Sequence, residues 1–213
     1  MSTSFLVTEK LGKSYGAIKA VEGIDLEVKR GRSLCILGRS GCGKTTLLKM
    51  LGLILKPDHG RVFIDGVDFS RSSEQEMARS RLKIGFSFQE PLLLPYLNAL
   101  QNLSLVVSKV TARNLRELEL EATQLLSQLG LSKRLGHLPS KLSVGEKNRI
   151  DLARAILKHP AIIIADEPFA NLDPETSLIV AGALRNHLRT GGILVFSSTE
   201  PSHTKQADDC LRF

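Results

Sequence analysis

The 213-residue sequence contains no tryptophan, two tyrosines and three cysteines. Proteins dedicated to single-stranded nucleic acids stack successive bases on aromatic rings, so this scarcity argues against that class. Cys35, Cys42 and Cys210 lack the paired spacing of metal ligands and are too few for a disulfide framework, which predicts free thiols in a reducing cytosol. Apolar runs are far shorter than the roughly 20 residues that cross a bilayer, and no signal peptide is recognisable. Any role at a membrane is therefore expected to go through a partner.

The excess of positive charge is modest and scattered. Lys and Arg total 29 against 22 Asp and Glu, a formal net charge of +7. Such a balance is compatible with nucleic acid or anionic lipid, but the basic residues stand among acidic ones. We interpret the charge as a solvated basic surface and expect no nucleic-acid partner. The hydrophobic fraction of 42% suffices for a packed core.

The first 70 residues carry strand patterns. Apolar and polar residues alternate at Phe5 and Val7 and again at Ile24, Leu26 and Val28. This period of two predicts half-exposed, antiparallel strands. The run SLCIL (33–37) is almost continuously apolar, as in a strand buried on both faces, and Asp65-Gly66 inside RVFIDGVDF predicts a hairpin.

The middle of the chain is helical in pattern, and the end alternates strand and helix. Apolar residues recur at helical spacing and stop before Gly130, at Leu115, Leu118, Ala122, Leu125, Leu126 and Leu129. After Pro160 the order is a strand (AIIIA), a helix over 174–189 and a strand (ILVF). We predict an α/β fold in one domain, 1–213, with a parallel-sheet core (1–89 and 159–213) and a helical subdomain inserted at about 90–158.

The segment GRSGCGKT, residues 38–45, matches the phosphate-binding loop G-x-x-x-x-G-K-[ST] between a predicted strand and a helix. Its glycines let successive backbone N–H groups converge on one anion, and the helix start adds its positive dipole end. Lys44 is predicted to reach the β- and γ-phosphates, and the Thr45 hydroxyl to bind Mg²⁺. The alternative is a glycine-rich turn with a chance lysine. The predicted nucleotide-binding residues here are Gly38, Arg39, Ser40, Gly41, Cys42, Gly43, Lys44, Thr45 and Thr46.

A second acidic element follows a buried strand. AIIIA delivers Asp166 and Glu167 at its carboxyl end, where ligands of parallel sheets bind. Asp166 is predicted to hold Mg²⁺, directly or through water, because this hard cation prefers oxygen ligands. Glu167 is predicted to orient or deprotonate the attacking water. The alternative is a helix-capping Asp followed by a solvated Glu.

The stretch LSVGEKNRIDLARAILKHPAIIIADEPFANLDPET, with the phosphate loop before it, resembles the ATP-binding-cassette (ABC) ATPases. The resemblance covers essentially the whole chain, and the motifs occur in the expected order. It implies a P-loop NTPase core with a parallel sheet, N-terminal antiparallel strands and an inserted helical subdomain. It also implies ATP and Mg²⁺ as cofactors and a homodimer, or a pair of cassettes, arranged head to tail.

Within this resemblance, LSVGE corresponds to the family signature, usually LSGGQ. Ser143, Val144, Gly145 and Glu146 are then expected to bind the γ-phosphate of ATP held by the second cassette. Val144 replaces a common glycine, a change we expect to be tolerated. The same letters also read as a capping box, Ser143-x-x-Glu146, before an apolar helix. Both interpretations are compatible, since a well-formed helix start is an anion site.

Four further residues are assigned by the resemblance. Gln89 matches the glutamine loop that senses Mg²⁺ and water, and Tyr15 matches an aromatic that stacks on adenine. Asn171 and Asp173 match a segment that touches the opposite cassette. The alternatives are an ordinary loop Gln, a buried hairpin Tyr, and a helix cap with Pro174 in the first turn.

The end of the last core strand departs from the family pattern. Ser197-Ser198-Thr199-Glu200 stands where V-T-H-D is usual, so Thr199 occupies the place of a histidine that contacts the γ-phosphate. A threonine hydroxyl donates a hydrogen bond but is shorter and never cationic. We expect ATP binding and dimerisation to be retained and hydrolysis to be slowed. His203 is a substitute candidate, though a solvated helix-start residue is the favoured interpretation.

The family implies an ATP-hydrolysing transport motor whose permease is a separate transmembrane chain. The protein is then cytoplasmic and peripheral on the inner face of the cell membrane. The region 89–103 is expected to face the permease, with PLLLPYL as a docking site or as lobe core. Val144 and ANLD favour lipoprotein-releasing and macrolide-export cassettes slightly over the nitrate, sulfonate and taurine importers that FQEPLLLP resembles. The alternatives are an ATP-binding regulatory subunit with little turnover and a soluble non-transport cassette.

Overall fold

The computed structural model describes residues 4–213, which form two sheets and six α-helices. The strands are β1 (Ser4–Tyr15), β2 (Ile18–Lys29), β3 (Ser33–Leu37), β4 (His59–Ile64), β5 (Val67–Asp68), β6 (Ile84–Ser87), β7 (Ile162–Ala165), β8 (Ile193–Ser198) and β9 (Asp209–Arg212). The helices are α1 (Lys44–Leu51), α2 (Glu74–Arg81), α3 (Ala99–Thr111), α4 (Leu115–Gln128), α5 (Val144–Leu157) and α6 (Pro174–Arg189). Short 3₁₀ helices lie at Ser132–Arg134, Pro139–Lys141 and Pro201–Gln206.

The N-terminal sheet is antiparallel, with strand order β2-β1-β4-β5. The predicted alternation holds in β2, but in β1 the neighbours Phe5 and Leu6 are both buried and Val7 is only half-buried. The reason is a register shift between Ser4 and Leu6 in the β1–β2 pairing, because a bulge resets which face a side chain takes. The predicted hairpin joins β4 to β5 through Asp65 and Gly66, both at positive φ.

The second sheet is parallel, with order β6-β7-β8-β3-β9, and it is covered on both faces. Alternate residues of β3, β7 and β8 enter two apolar clusters. One cluster contains α3–α6 and the other contains α1 and the antiparallel sheet. Burial on both faces explains why these strands read as continuous apolar runs. The α/β fold is as predicted.

α6 has its predicted limits, whereas the first helix of the predicted helical subdomain, α3, begins only at Ala99, after a non-helical segment that starts near residue 90. α4 buries most of the expected face, at Leu118, Ala122, Leu125 and Leu126, and Gly130 follows at φ 74°, but Leu115 in the first turn is exposed. Two elements were not predicted. α2 buries only Met77 and so has no apolar periodicity, and β9 is short and mostly exposed. Over residues 4–213, no helix is long and apolar enough to cross a membrane.

Candidate active site

The carboxyl ends of β3, β7 and β8 meet at one edge of the parallel sheet, and each runs into a predicted motif. The phosphate loop follows β3, Asp166 follows β7, and Thr199 follows β8. The backbone N–H of Gly38 donates to the Ser198 carbonyl at 3.1 Å, which ties the phosphate loop to the end of β8. Parallel strand order therefore brings together residues that lie far apart in the sequence.

The phosphate loop has a backbone that only glycine accommodates at Gly43. This residue has φ 110°, and a Cβ there would lie 2.0 Å from the carbonyl oxygen of Ala20. Helix α1 then starts at Lys44 with no side chain capping it. The first N–H groups of α1 thus remain available to an anion.

Lys44 is folded over the loop that precedes it. Its ammonium donates to the carbonyls of Gly38 at 2.9 Å and Arg39 at 3.0 Å, and lies 3.9 Å from the Glu167 carboxylate. Its side chain is only 5% exposed. A buried cation held by carbonyls and a carboxylate is positioned to neutralise phosphate oxygens.

Asp166 is buried and accepts hydrogen bonds from two hydroxyls. Thr45 Oγ1 donates to Asp166 Oδ2 at 2.6 Å, and Ser197 Oγ donates to Asp166 Oδ1. Within residues 4–213 its carboxylate forms no ion pair. A buried carboxylate next to a hydroxyl, without a protein cation, is an oxygen donor set that fits Mg²⁺.

Ser197 joins this cluster and was not among the residues that the sequence predicted for the site. Its hydroxyl also accepts the backbone N–H of Glu167 at 2.9 Å, and Glu167 has φ 54°, a left-handed conformation unusual for this residue. The sequence did hold a signal, because a polar residue ends the otherwise apolar run ILVF. Pairing of Ala165 with Phe196 places Ser197 beside Asp166, just beyond β7.

Thr199 is exposed immediately after β8, and within residues 4–213 its side chain forms no hydrogen bond. The interpretation of His203 as a solvated residue is wrong. Its Nδ1 lies 2.9 Å from the Ser198 hydroxyl, and its ring packs against Phe169 at 5.5 Å. The side chain is only 17% exposed, because the 3₁₀ helix Pro201–Gln206 folds it back onto the end of β8.

Gln89 and Tyr15 are both exposed and are not drawn into the cluster around Lys44 and Asp166. The alternative of a buried hairpin tyrosine is wrong, since Tyr15 is 52% exposed at the end of β1. Gln89 follows β6, and the preceding N–H of Phe88 donates to the buried carboxylate of Asp151 at 3.0 Å. Desolvation by burial raises the pKa of Asp151, against the opposing effect of Arg154.

The signature segment forms the start of α5 and contains the predicted capping box. Ser143 Oγ accepts the Glu146 N–H at 3.2 Å, and the Ser143 N–H donates to Glu146 Oε2 at 2.8 Å. Val144 is 68% exposed, so its side chain points to solvent at the first turn. The capping interpretation of LSVGE is therefore confirmed, while the trans-phosphate role stays a prediction.

Asn171 and Asp173 lie on the exposed loop before α6. Asn171 is in the left-handed region at φ 57°. Asp173 caps α6 by accepting the Thr176 N–H at 2.9 Å, with Pro174 as the first helical residue. The capping interpretation of NLDP is confirmed here too, and contact with a second cassette stays a prediction.

Comparison with known proteins supports the same family. The family model described as "ABC transporter" matches residues 21–170. The lipoprotein-releasing system ATP-binding protein LolD of Bacteroides thetaiotaomicron is 43% identical over 166 residues, 78% of this chain and 76% of that protein. LolD 2 of Caulobacter vibrioides is 38% identical over 204 residues, 93% of this chain and 89% of that protein. These relatives agree with the predicted resemblance to lipoprotein-releasing cassettes.

A solved structure of a similar cassette agrees in fold. An ATP-binding cassette described as dimeric, in a post-hydrolysis state bound to ADP and Pi, has a TM-score of 0.91 and 29% sequence identity. The match covers 98% of this chain and 94% of that one. The family model and the relatives lead to one conclusion: the chain belongs to the ABC transporter family, as an ATP-binding, ATP-hydrolysing motor subunit.

Proposed function

We propose that two cassettes associate head to tail around two MgATP and drive a separate membrane permease of the lipoprotein-releasing type. The observation that carries the catalytic part is the 2.6 Å hydrogen bond between Thr45 and Asp166, which joins the phosphate loop to the acidic strand end. Lys44 and Glu167 lie beside it, 3.9 Å apart. An ammonium, a hydroxyl and two carboxylates at one sheet edge are the groups that phosphoryl transfer needs.

ATP is held by the phosphate loop. The N–H groups of the loop and of the first turn of α1 bind the phosphates, and Lys44 turns from its loop carbonyls toward the β- and γ-phosphates. Thr46, in that first turn, adds a further contact. Tyr15 stacks on the adenine, a role that its 52% exposure permits.

Thr45 and Asp166 would hold Mg²⁺, and Gln89, which is exposed and outside their cluster, would have to approach the ion to join them. When bound, this ion neutralises charge on the β- and γ-phosphate oxygens. Glu167 accepts a proton from the water whose oxygen attacks the γ-phosphorus, and the bond to the leaving ADP oxygen breaks. The products are ADP and inorganic phosphate. Ser197 holds the Glu167 backbone during this step.

Thr199 supplies a shorter, neutral donor where the family has histidine, so we propose slow hydrolysis. Its side chain is exposed and forms no hydrogen bond within residues 4–213, which supports this view and favours a second candidate, an ATP-binding subunit with little turnover. A soluble, non-transport cassette is less well supported, because such cassettes usually carry a coiled-coil insertion or a second cassette.

The dimer forms between the signature segment of one chain and the phosphate loop of the other. Ser143, Val144, Gly145 and Glu146 face the partner's γ-phosphate, and Asn171 and Asp173 touch the opposite cassette. Two related solved cassettes are described as dimeric, at TM-scores of 0.91 and 0.90. These descriptions support pairing, and the motif positions support the head-to-tail arrangement.

The permease contact lies in the helical part, for which we propose the limits of about 90–158 within a core of 1–89 and 159–213. Leu92 (64% exposed) and Tyr96 (73%) present apolar surface after Gln89, whereas Leu93 packs on the core. Such exposed apolar side chains suit a protein interface. The protein then lies on the cytoplasmic side, peripheral to the inner face of the membrane. The names of the relatives support a lipoprotein-releasing system.

The test is steady-state ATP hydrolysis with Mg²⁺ by the wild-type protein and by Glu167→Gln. Turnover is expected to fall at least 100-fold in this variant while ATP binding persists. Glu175→Gln, an exposed glutamate in α6, is the matched control and is expected to keep full turnover. Equal turnover in Glu167→Gln and wild type would refute the assigned base. Repeating the assay with a lipoprotein-releasing permease in vesicles tests the coupling.

A further inference from the structure

The start of α5 carries a negative charge in the segment proposed to receive the partner's γ-phosphate. Glu146 lies in the first turn, three residues after the N-cap Ser143. A carboxylate at a helix N-terminus is stabilised by the helix dipole, but it repels a second anion brought to the same N–H groups. Without a compensating cation, the Glu146 carboxylate would therefore oppose binding of the partner's ATP at this helix start.

Both oxygens of the Glu146 carboxylate are occupied within the chain. Oε1 accepts from Arg134 Nε at 2.6 Å, and Oε2 accepts from the Ser143 N–H at 2.8 Å. The Glu146 side chain is 17% exposed and that of Arg134 is 42% exposed. The hydrogen bond from Arg134 is the main cause of a lowered pKa at Glu146, so the carboxylate is ionised at neutral pH.

Arg134 comes from a different element, the 3₁₀ helix Ser132–Arg134 between α4 and α5. Backbone hydrogen bonds hold this residue on both sides, from its own N–H to Leu131 at 2.8 Å and from the His137 N–H to its carbonyl at 2.9 Å. Glu146 is its only ion-pair partner within residues 4–213. The backbone around Arg134 therefore holds its guanidinium beside the Glu146 carboxylate.

We propose that Arg134 is a positioning residue of the trans ATP site, cancelling the Glu146 charge and holding its carboxylate on Ser143 so that the N–H groups of Val144 and Gly145 face the partner's γ-phosphate. The inference rests on the proposed head-to-tail dimer. The hydrogen bonds of the capping box direct the carboxylate back along the helix start, and the guanidinium neutralises it there. Neither group needs to touch the nucleotide for this effect.

The experiment is a double-mutant cycle on ATP-induced dimerisation. Glu167→Gln serves as the background that retains ATP, and dimer formation is followed by analytical ultracentrifugation with MgATP. Arg134→Ala is expected to weaken each trans site roughly tenfold, which corresponds to about 1.4 kcal/mol, because an unpaired charge then faces a triphosphate. A symmetric dimer contains the site twice, so its association constant is expected to fall about 100-fold.

The decisive comparison is with Glu146→Gln, which removes the charge that Arg134 pairs with. Glu146→Gln leaves the Arg134 cation unpaired beside the triphosphate and is expected to strengthen association rather than weaken it, whereas Arg134→Ala combined with Glu146→Gln is expected to restore most of the association lost in Arg134→Ala. Arg134→Lys keeps the charge and is expected to rescue in part. Arg113→Ala breaks a similar ion pair, Arg113–Glu121 at 2.6 Å on another surface, and is expected to change nothing.

Other results would overturn the inference. An equal loss from Arg134→Ala with or without the Glu146 charge would mean that Arg134 contacts the nucleotide itself or only supports the fold. No loss at all would mean that the pair has no part in the dimer. ATP affinity of the monomer and the thermal midpoint are measured alongside to identify misfolding. If the Glu167→Gln background does not dimerise with ATP, the head-to-tail assembly is refuted first.

Discussion

The backbone N–H of Glu167 donates to the hydroxyl of Ser197 at 2.9 Å, across 30 residues of sequence. The same hydroxyl donates to Asp166, and Ser197 is completely buried. One side chain of β8 therefore positions the proposed Mg²⁺ ligand and the proposed base together. The positive φ of Glu167 makes this support necessary, because a glutamate does not favour that backbone conformation.

Replacing Ser197 should impair hydrolysis more than ATP binding. Ser197→Ala removes the hydroxyl without adding bulk to this buried site, and it leaves the Glu167 N–H without its acceptor and Asp166 Oδ1 without its donor, while Thr45 still donates to Asp166 Oδ2. We expect turnover to fall at least tenfold, the half-saturating Mg²⁺ concentration to rise, and stability to drop by about 1–3 kcal/mol. Chemical denaturation and steady-state kinetics at varied Mg²⁺ measure these effects.

Ser104→Ala is the control for Ser197→Ala. Ser104 is also fully buried, but its hydroxyl donates to the Leu100 carbonyl within α3, away from the acidic residues. A comparable loss of turnover in both variants, after correction for unfolded protein, would contradict the positioning role. Unchanged Mg²⁺ dependence in Ser197→Ala would do the same.

Restoring histidine at position 199 should accelerate the enzyme. Thr199 is exposed and its side chain forms no hydrogen bond in the described part of the chain, so Thr199→His is expected to alter stability by less than about 0.5 kcal/mol. A longer donor that also carries charge should stabilise the γ-phosphate in the transition state and raise turnover roughly tenfold. Steady-state ATP hydrolysis measures the change. Ser202→His, at another exposed position, serves as the control, and equal or lower turnover in Thr199→His would refute the expectation.

The three cysteines should differ sharply in their reactivity toward alkylating reagents. Cys35 is fully buried, and burial, followed by the neighbouring Cys210, raises its pKa to about 12. It should stay unmodified at neutral pH, because the thiolate is the nucleophile. Cys210 is exposed and should react first.

Cys42 is half-buried inside the phosphate loop, so bound ATP should shield it. In a Cys210→Ser variant we expect ATP to slow alkylation of Cys42 at least tenfold. Mass spectrometry measures the rate of this labelling. Lys44→Ala, which weakens phosphate binding, should remove the protection. If Cys42 were labelled equally fast with and without ATP, the prediction that Cys42 lies next to the bound nucleotide would be refuted.

Acidification should destabilise the fold in part through His187. This side chain is buried in α6, with Nε2 3.1 Å from the Ile193 carbonyl, and desolvation lowers its pKa. The unfolded chain then binds more protons than the folded one just below pH 6.5. The contribution of neutral His187 to the free energy of unfolding is thus complete above that pH. It is lost as the pH falls toward the pKa of His187 in the folded protein, by no more than about 1.4 kcal/mol per pH unit.

The pH dependence is measured by chemical denaturation between pH 5 and 7.5. His187→Gln should flatten the loss of stability on acidification relative to the wild type, whereas His137→Gln should not. His137 is a half-buried histidine in the connection between α4 and α5, outside the helices. The same slope in wild type and His187→Gln would show that another group is responsible.

Much of the fold was predictable because its signals are local. The limits of α6 follow from Asp173 and Pro174 at its start, and the end of the α4 pattern follows from Gly130. The phosphate loop and the Asp166-Glu167 pair were likewise predictable. Glycine spacing, and an apolar run that ends in carboxylates, can be recognised without knowledge of the rest of the chain. The bulge in β1 was not, because register depends on the paired strand.

The sequence by itself therefore determined most of the elements, their order and the chemistry offered at the main strand ends, but not α2 and β9. Tertiary structure alone decided which side chains meet. Ser197 reaches Asp166 because β8 lies next to β7, and His203 folds onto Ser198 and Phe169 rather than into solvent. Arg134 meets Glu146 because a 3₁₀ turn returns it to the start of α5. Such contacts depend on strand order and chain reversal, which residue patterns along one segment do not encode.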